Sequence, residues 1–164
     1  MKVHIRDVAP GDLQGVLEIN EAAVPHVNSV SLEQMRKFYD EAAYFRVAVV
    51  EGMPAAFLVG LTPDADYESP NFRWFCGKFS DFAYIDRIAV AETARRRGLA
   101  AALYDDFESR FTGHSPRLAC EVNLRPANDA SMLFHQRMGF VQVGFQEIDG
   151  GAKEVAMLVK DLAR

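Results

Sequence analysis

The sequence predicts an α/β fold: a mixed, mostly antiparallel central sheet of about seven strands, flanked by about four helices. Three observations carry this reading. β-rich and helix-periodic runs alternate along the chain in the order β-α-α-β-β-β-α-β-α-β-β. A strand–helix–strand crossover in the middle implies a locally parallel pair. Short turns on either side, Glu51-Gly52 and Asp149-Gly150-Gly151, imply antiparallel hairpins.

Residues 3–8 alternate weakly and form the first strand, which Pro10-Gly11-Asp12 breaks. Asp12 is placed to cap a helix over residues 13–23, with Leu13, Val16, Leu17 and Asn20 near one face; Pro25 ends it. Residues 25–29 are a loop. Ser31 and Gln34 have capping-box spacing, and a helix follows to residue 42 with Leu32, Met35, Phe38 and Tyr39 apolar. Residues 44–50 and 54–61 form the first hairpin. Residues 62–80 read as a long loop that holds Tyr67, Phe72, Trp74, Phe75 and Phe79. Such a loop is uncommon in a compact domain and is often functional. It reads as a flap pinned to the core by its aromatics and as a lid lining a substrate pocket, two readings that are compatible. Residues 81–90 form a strand with Phe82, Tyr84, Asp86 and Ile88 on one face. Leu99, Leu103, Phe107 and Phe111, spaced i, i+4, give the next helix its core stripe, and Gly113 stops it. In the strand over residues 116–123, Leu118, Cys120 and Val122 share one face, Glu121 and Asn123 the other. Asn128 caps a helix to residue 138, which Gly139 ends, and residues 140–148 and 153–159 form the last hairpin. Repeats, low-complexity stretches and linkers are absent from the sequence, so residues 1–164 read as one domain.

Composition narrows the function. Hydrophobic residues make up 49% and charged residues 25%, as in ordinary globular proteins. The net charge of −5 argues against nucleic acid as the partner, so a basic run must serve a local anion. No apolar run approaches the roughly 18 residues of a membrane helix, which argues against a membrane partner. The first residues lack a signal-peptide core, and a cytoplasmic location is the default expectation. Cys76 and Cys120 stand apart without CxxC or His-x-Cys spacing, so no metal site is expected, and two reduced thiols fit that compartment.

The local anion site is the turn Arg95-Arg96-Arg97-Gly98-Leu99-Ala100, between a strand and a helix start. The first N–H groups of a helix lack partners in the helix, and its dipole favours negative charge there. GxxxxGK[ST] and GxGxxG are both absent, which excludes a P-loop and a dinucleotide fold. The turn does contain Arg95-x-x-Gly98-x-Ala100. This resembles the [Gln/Arg]-x-x-Gly-x-[Gly/Ala] acyl-CoA signature of the GCN5-related N-acetyltransferases. Asn128-x-x-Ser131-x-x-Phe134-His135-x-x-x-Gly139-Phe140 resembles that family's second signature, in the right order and spacing.

The resemblance implies the acyl-CoA N-acyltransferase fold and transfer of an acetyl group from acetyl-CoA, without a metal, to a small-molecule or peptide amine. It implies that the pyrophosphate rests on the backbone of Arg96, Arg97, Gly98, Leu99 and Ala100, with Arg95 as the signature's first residue. Gly98 then permits close approach. The pantetheine arm pairs with the strand at Ile88, Ala89 and Val90, and the Val90 N–H faces the thioester oxygen. Asn128, Ser131, Phe134 and His135 face the cofactor from the later helix. For Asn128 a plain helix cap is the compatible structural reading.

The attacking amine must lose a proton. Glu121, in Cys120-Glu121-Val122, matches a Leu-Glu-Val pattern of members that acetylate protein N-termini and is the first choice of base; Asp86 is the rival. The plain readings are a solvated strand face for Glu121 and an ion pair with Arg87 for Asp86. His135 stands where the family usually has a tyrosine acid, and on that ground an acid or a cofactor contact is preferred to a core histidine. Tyr84, Trp74, Phe75, His26 and Asn123 are the candidate acceptor contacts, whereas His4 and His114 read as surface residues. The final strands offer a surface for a homodimer, as in relatives. The departure at His135 keeps a second function open, a non-catalytic acyl-CoA-binding or sensor domain. A hydrolase built on Glu121 and His135 is disfavoured, because no nucleophile elbow is present.

Overall fold

The computed structural model describes residues 2–163; residues 1 and 164, which the one-domain reading includes, lie outside the described residues. Among the described residues seven strands and five α-helices follow one another as β1 (Val3–Asp7), α1 (Leu13–Ala22), α2 (Leu32–Glu41), β2 (Tyr44–Val50), β3 (Met53–Leu61), α3 (Pro70–Lys78), β4 (Ala83–Val90), α4 (Leu99–Phe111), β5 (Arg117–Arg125), α5 (Asp129–Arg137), β6 (Val141–Ile148) and β7 (Lys153–Asp161). The hydrogen-bonded strand order is β1-β2-β3-β4-β5-β7-β6. β1/β2, β2/β3, β5/β7 and β6/β7 are antiparallel, and β4/β5 is parallel. The mixed, mostly antiparallel sheet is the one expected, with one helix more than the sequence pattern suggested.

The chain divides into two compact units, Met1–Leu61 with Ile85–Arg110, and Thr62–Tyr84 with Phe111–Arg164. In the first, Val16, Met35, Val47, Ala48, Phe57, Leu103 and Phe107 are fully buried. Arg46 holds Asp106 through Nη1 at 2.9 Å, and the Tyr44 hydroxyl donates to the same carboxylate at 2.7 Å. Burial and this bond to Asp106 push the Tyr44 phenol well above its ordinary range. Ser31 caps α2 as expected, accepting from the Gln34 N–H at 3.1 Å.

Asp12 is a correction. Its carboxylate makes no capping bond to α1; it accepts from the Ala9 N–H at 2.7 Å and from both Arg6 amine nitrogens at 2.6 and 3.1 Å. A bidentate guanidinium bond is stronger than a single bond to an amide, and the fork of Arg6 holds Asp12 below the usual carboxylate range. The Pro10–Asp12 turn is a 3₁₀ helix leading into α1.

The second unit carries the other correction. The stretch expected to be a long loop contains α3. Ser69 caps it, accepting from the Phe72 N–H at 3.4 Å, and Pro70 occupies its first turn, where no N–H is needed. Phe72 and Phe75, three apart, bury one face of this short helix. They pack on Tyr84 at ring separations of 5.4 and 5.8 Å and on Phe82 at 6.0 and 5.9 Å. The stretch is therefore pinned to the core by its aromatics, and Phe75, with no exposed surface, is a core residue rather than a pocket wall.

Candidate functional site

The basic turn belongs to the first unit. A 3₁₀ turn over Glu92–Ala94 leads into it, and α4 begins at Leu99. Arg96 and Gly98 both have left-handed backbones, with φ of 66° and 74°. Left-handed residues in such a turn aim successive N–H groups into one concavity, the geometry that binds anions. Arg95, Arg96, Arg97 and Gly98 are exposed, Leu99 is buried and Ala100 half-buried. A Cβ on Gly98 meets no protein atom within 4 Å, so its face of the turn is open. Packing therefore does not demand glycine there; the backbone angle does.

β4 runs into this turn and continues to Val90, beyond the two pairs, Ala83 with Leu118 and Tyr84 with Ala119, that join it to β5. Along its later half Ile85, Arg87 and Ala89 are buried, while Asp86, Ile88 and Val90 are half-buried. Asp86 is paired with Arg87, Nε to Oδ2 at 2.9 Å, with side-chain exposures of only 4% and 6%. The ion-pair reading of Asp86 is the one the structure has. Arg87 also donates to Asn20 Oδ1 and to the Asn28 carbonyl, both at 3.0 Å, and its guanidinium lies 5.4 Å from the Phe38 ring centre. Glu21 ties down the same loop, accepting from the Ser29 hydroxyl and the Val30 N–H; Ser29 first, then Asn20, lowers its carboxyl below the usual range. His26 is exposed on this α1–α2 loop.

In the second unit, strand register places Tyr84, Ala119, Glu121 and Asn123 on one face, together with Met157, Val155, Gly144 and Gln146. On that face the Tyr84 hydroxyl donates to Glu121, at 2.9 Å from Oε1 and 2.8 Å from Oε2. Asn71 Nδ2 donates to Glu121 Oε1 at 3.3 Å, and Gln146 Nε2 donates to Asn71 Oδ1 at 3.0 Å. Tyr84 is fully buried and Glu121 half-buried. The half-buried Trp74 indole lies on Gly144, where an added Cβ would sit 2.6 Å from Cζ2. Asn71 and Gln146 were not anticipated. Nothing local marks either as a partner of Glu121, although Ser69-Pro70 does mark the helix start that positions Asn71. Cys120, next to Glu121 but on the opposite face, is buried, and burial pushes its thiol up.

α5 carries the second signature. Asn128 Oδ1 accepts from the Ser131 N–H at 3.2 Å and caps the helix. His135 is 5% exposed, set edge-on to Phe134 and Phe140. Its Nδ1 is 2.7 Å from the Ser131 carbonyl, which can only accept, so Nδ1 carries the proton. Burial lowers the His135 pKa from its ordinary value. The unfolded imidazole titrates near pH 6.5. As the pH falls through that value, the unfolded chain takes up a proton that the folded protein resists, and stability declines. Melting temperatures from pH 8 to about 5.5 should therefore fall more steeply for the wild type than for His135→Gln; parallel declines would remove His135 as the cause.

The model of the Acetyltransferase (GNAT) family matches residues 13–140. The chain belongs to this family. Among solved GNAT-like structures, Ard1 from Thermoplasma volcanium aligns with a TM-score of 0.80, 21% identity and 100% of both chains covered. NAA60 of Arabidopsis thaliana, solved in complex with a bisubstrate analogue, gives 0.77 at 18% identity over 98% of each chain. The ribosomal-protein-S18-alanine N-acetyltransferase of Escherichia coli gives 0.73 at 18% identity, covering 99% of this chain and 96% of that one. At such identities the likeness is one of fold, and that fold is the acyl-CoA N-acyltransferase fold which the two signatures imply. No curated protein sequence matches the chain. Among the described residues no helix is long and apolar enough to cross a membrane, and no group of three or more His, Cys, Asp or Glu is placed to hold a metal ion.

Proposed function

We propose that this GNAT-family chain, as one catalytic domain over residues 1–164, transfers an acetyl group from acetyl-CoA to a primary amine in a ternary complex. The observation that carries this reading is the Glu121 carboxylate, oriented by Tyr84 at 2.8 Å and Asn71 at 3.3 Å on the sheet face that α3 covers. In this reading Glu121 takes the proton of the ammonium or of the attacking nitrogen. The nitrogen forms its bond to the thioester carbon, the carbon–sulfur bond breaks, and the thiolate leaves. A thiol with a pKa of about 8.5 leaves tolerably well without a charged acid and takes its proton from solvent. That suits His135, whose buried neutral ring already spends its Nδ1 proton on Ser131.

The N–H groups of Arg96 to Ala100 would receive the pyrophosphate, and Arg95, Arg96 and Arg97 would add positive field. Ile88, Ala89 and Val90 would offer backbone to the pantetheine arm, with the Val90 N–H as oxyanion donor. Asn128, Ser131 and Phe134, with the packing of His135 behind them, would contribute the cofactor contacts of α5. Trp74, Asn123 and His26 are the proposed acceptor contacts. The acceptor class is an amine on a small molecule or a peptide, in keeping with an acidic chain and against a nucleic acid. The cytoplasmic location and a homodimer through the last strands belong to the same proposal.

The open face of the turn yields a test. Gly98→Val adds a branched side chain at a φ of 74°, and its Cβ meets no protein atom within 4 Å. The local strain is about 1–2 kcal/mol, which a domain tolerates. The variant should stay folded and lose the thermal stabilisation by acetyl-CoA that the wild type shows. A folded Gly98→Val protein with wild-type stabilisation would refute close approach of the cofactor at this glycine. The sensor reading draws on one observation, the buried ring of His135 at the family's acid position, with Nδ1 2.7 Å from the Ser131 carbonyl. A sensor binds acetyl-CoA and releases no CoA when amines are added.

A further inference from the structure

The connection between β3 and β4 holds α3, and α3 reaches the proposed base. A carboxylate can only accept hydrogen bonds, so Asn71 must turn its NH2 end toward Glu121. Its carbonyl end then faces Gln146, which must donate. The polarity of the chain Gln146→Asn71→Glu121 thus follows from the carboxylate, with distances of 3.0 and 3.3 Å along it. The same two elements meet a second time, where the Trp74 indole of α3 packs so closely on Gly144 of β6 that an added Cβ would sit 2.6 Å from its Cζ2. Phe72 and Phe75, fully buried under α3 against Phe82 and Tyr84, fix the helix on the sheet. Asn71 is therefore held by the backbone of a packed helix and by Gln146, and its amide has one orientation available.

We propose that Asn71 and Gln146 are positioning residues for Glu121: the clasp between α3 and β6 fixes the plane and rotamer of the carboxylate that takes the amine proton. This rests on Glu121 being the base. Asn71 supplies a direct donor, and Gln146 acts through Asn71. A carboxylate free to rotate would spend much of its time away from the nitrogen, and misplacement of a catalytic group by about 1 Å lowers rates by up to two orders of magnitude.

The test uses the full chain with acetyl-CoA and CoA release as readout. The acceptor is whichever the wild type uses best among a peptide with a free N-terminus, an N-terminally blocked lysine peptide and spermidine. Asn71→Leu should lower kcat about tenfold and leave the acetyl-CoA KM unchanged. Gln146→Leu should lower kcat by less, and in the Asn71→Leu background it should add nothing, as expected of two residues acting in series. Asn71→Asp keeps the shape and the fold but puts a like charge beside Glu121, so the acid limb of its rate–pH profile should move up by about one unit. A residue of merely structural importance would not move that limb. Wild-type kcat and pH profile in Asn71→Leu, Asn71→Asp and Gln146→Leu, with a rate loss in Glu121→Gln, would overturn the positioning role and leave the base in place. A wild-type rate in Glu121→Gln would instead remove the base, and the positioning role with it.

Discussion

Glu121→Gln should lower the rate of acetyl transfer by roughly 10²- to 10⁴-fold, the usual contribution of a positioned proton acceptor. The glutamine keeps the shape of the side chain and its contact with the Tyr84 hydroxyl, which lies 2.9 Å from Oε1. It cannot take a proton. Because the change is in chemistry and not in cofactor contacts, the shift of the melting temperature by acetyl-CoA should match that of the wild type. Steady-state kinetics beside thermal denaturation separate these two quantities. Asp86, the rival carboxylate, already carries a buried partner, Arg87, at 2.9 Å, so its charge is committed to holding the strand. Glu121 is half-buried and accepts from the Tyr84 hydroxyl and the Asn71 amide, which orient its carboxylate. Equal rates in the wild type and Glu121→Gln would move the proton to Asp86 or to water.

The second large effect is on stability. Arg87→Met should destabilise the protein by about 3–5 kcal/mol, because it strands the Asp86 carboxylate in a place where only 4% of the side chain is exposed. It also takes a donor from Asn20 Oδ1 and from the Asn28 carbonyl. Urea denaturation reads the loss as a lower midpoint. The double variant Asp86→Ala/Arg87→Met should recover a large part of it, since removing both charges of a buried pair is far cheaper than removing one. If the double variant is as unstable as the single, the loss comes from packing against Phe38 and from the α1–α2 loop, and the stranded charge is not its source. The same clamp explains why residues 24–30 hold their place beside β4: Arg87, Asn20 and Glu21 all bond to that loop.

These two sites show what was legible in the chain and what was not. The strands and four of the helices follow from local patterns that act over a few residues. Ser31 caps α2, Asn128 caps α5, and the i, i+4 stripe beginning at Leu99 and Leu103 packs α4. The basic turn was legible for the same reason, since Gly98 is required by its own backbone angle. α3 was obscured by its length, by Pro63, Asp64 and Asp66 before it and by Pro70 and Asn71 in its first turn, though Ser69-Pro70 and the Phe72/Phe75 spacing were the signal for it. Asp12 went astray because capping is a local rule and Arg6 offered a stronger partner from β1. The surroundings of Glu121 could not be read at all. Asn71 lies 50 residues before it and 75 before Gln146, and only the register of β5, β7 and β6 with α3 packed on top brings the three together. Interactions of that kind leave no periodicity in the sequence.

The central claim is that the chain transfers acetyl groups and does not merely hold acetyl-CoA. The direct measurement is the release of CoA thiol from acetyl-CoA by the purified full chain, with and without each amine of a panel of peptides and polyamines, with mass spectrometry of the amine. The account predicts CoA release that depends on one class of amine and matches the acetylated amine mole for mole. Stabilisation of the protein by acetyl-CoA, with no amine-dependent CoA release, would contradict it and establish a binding domain instead.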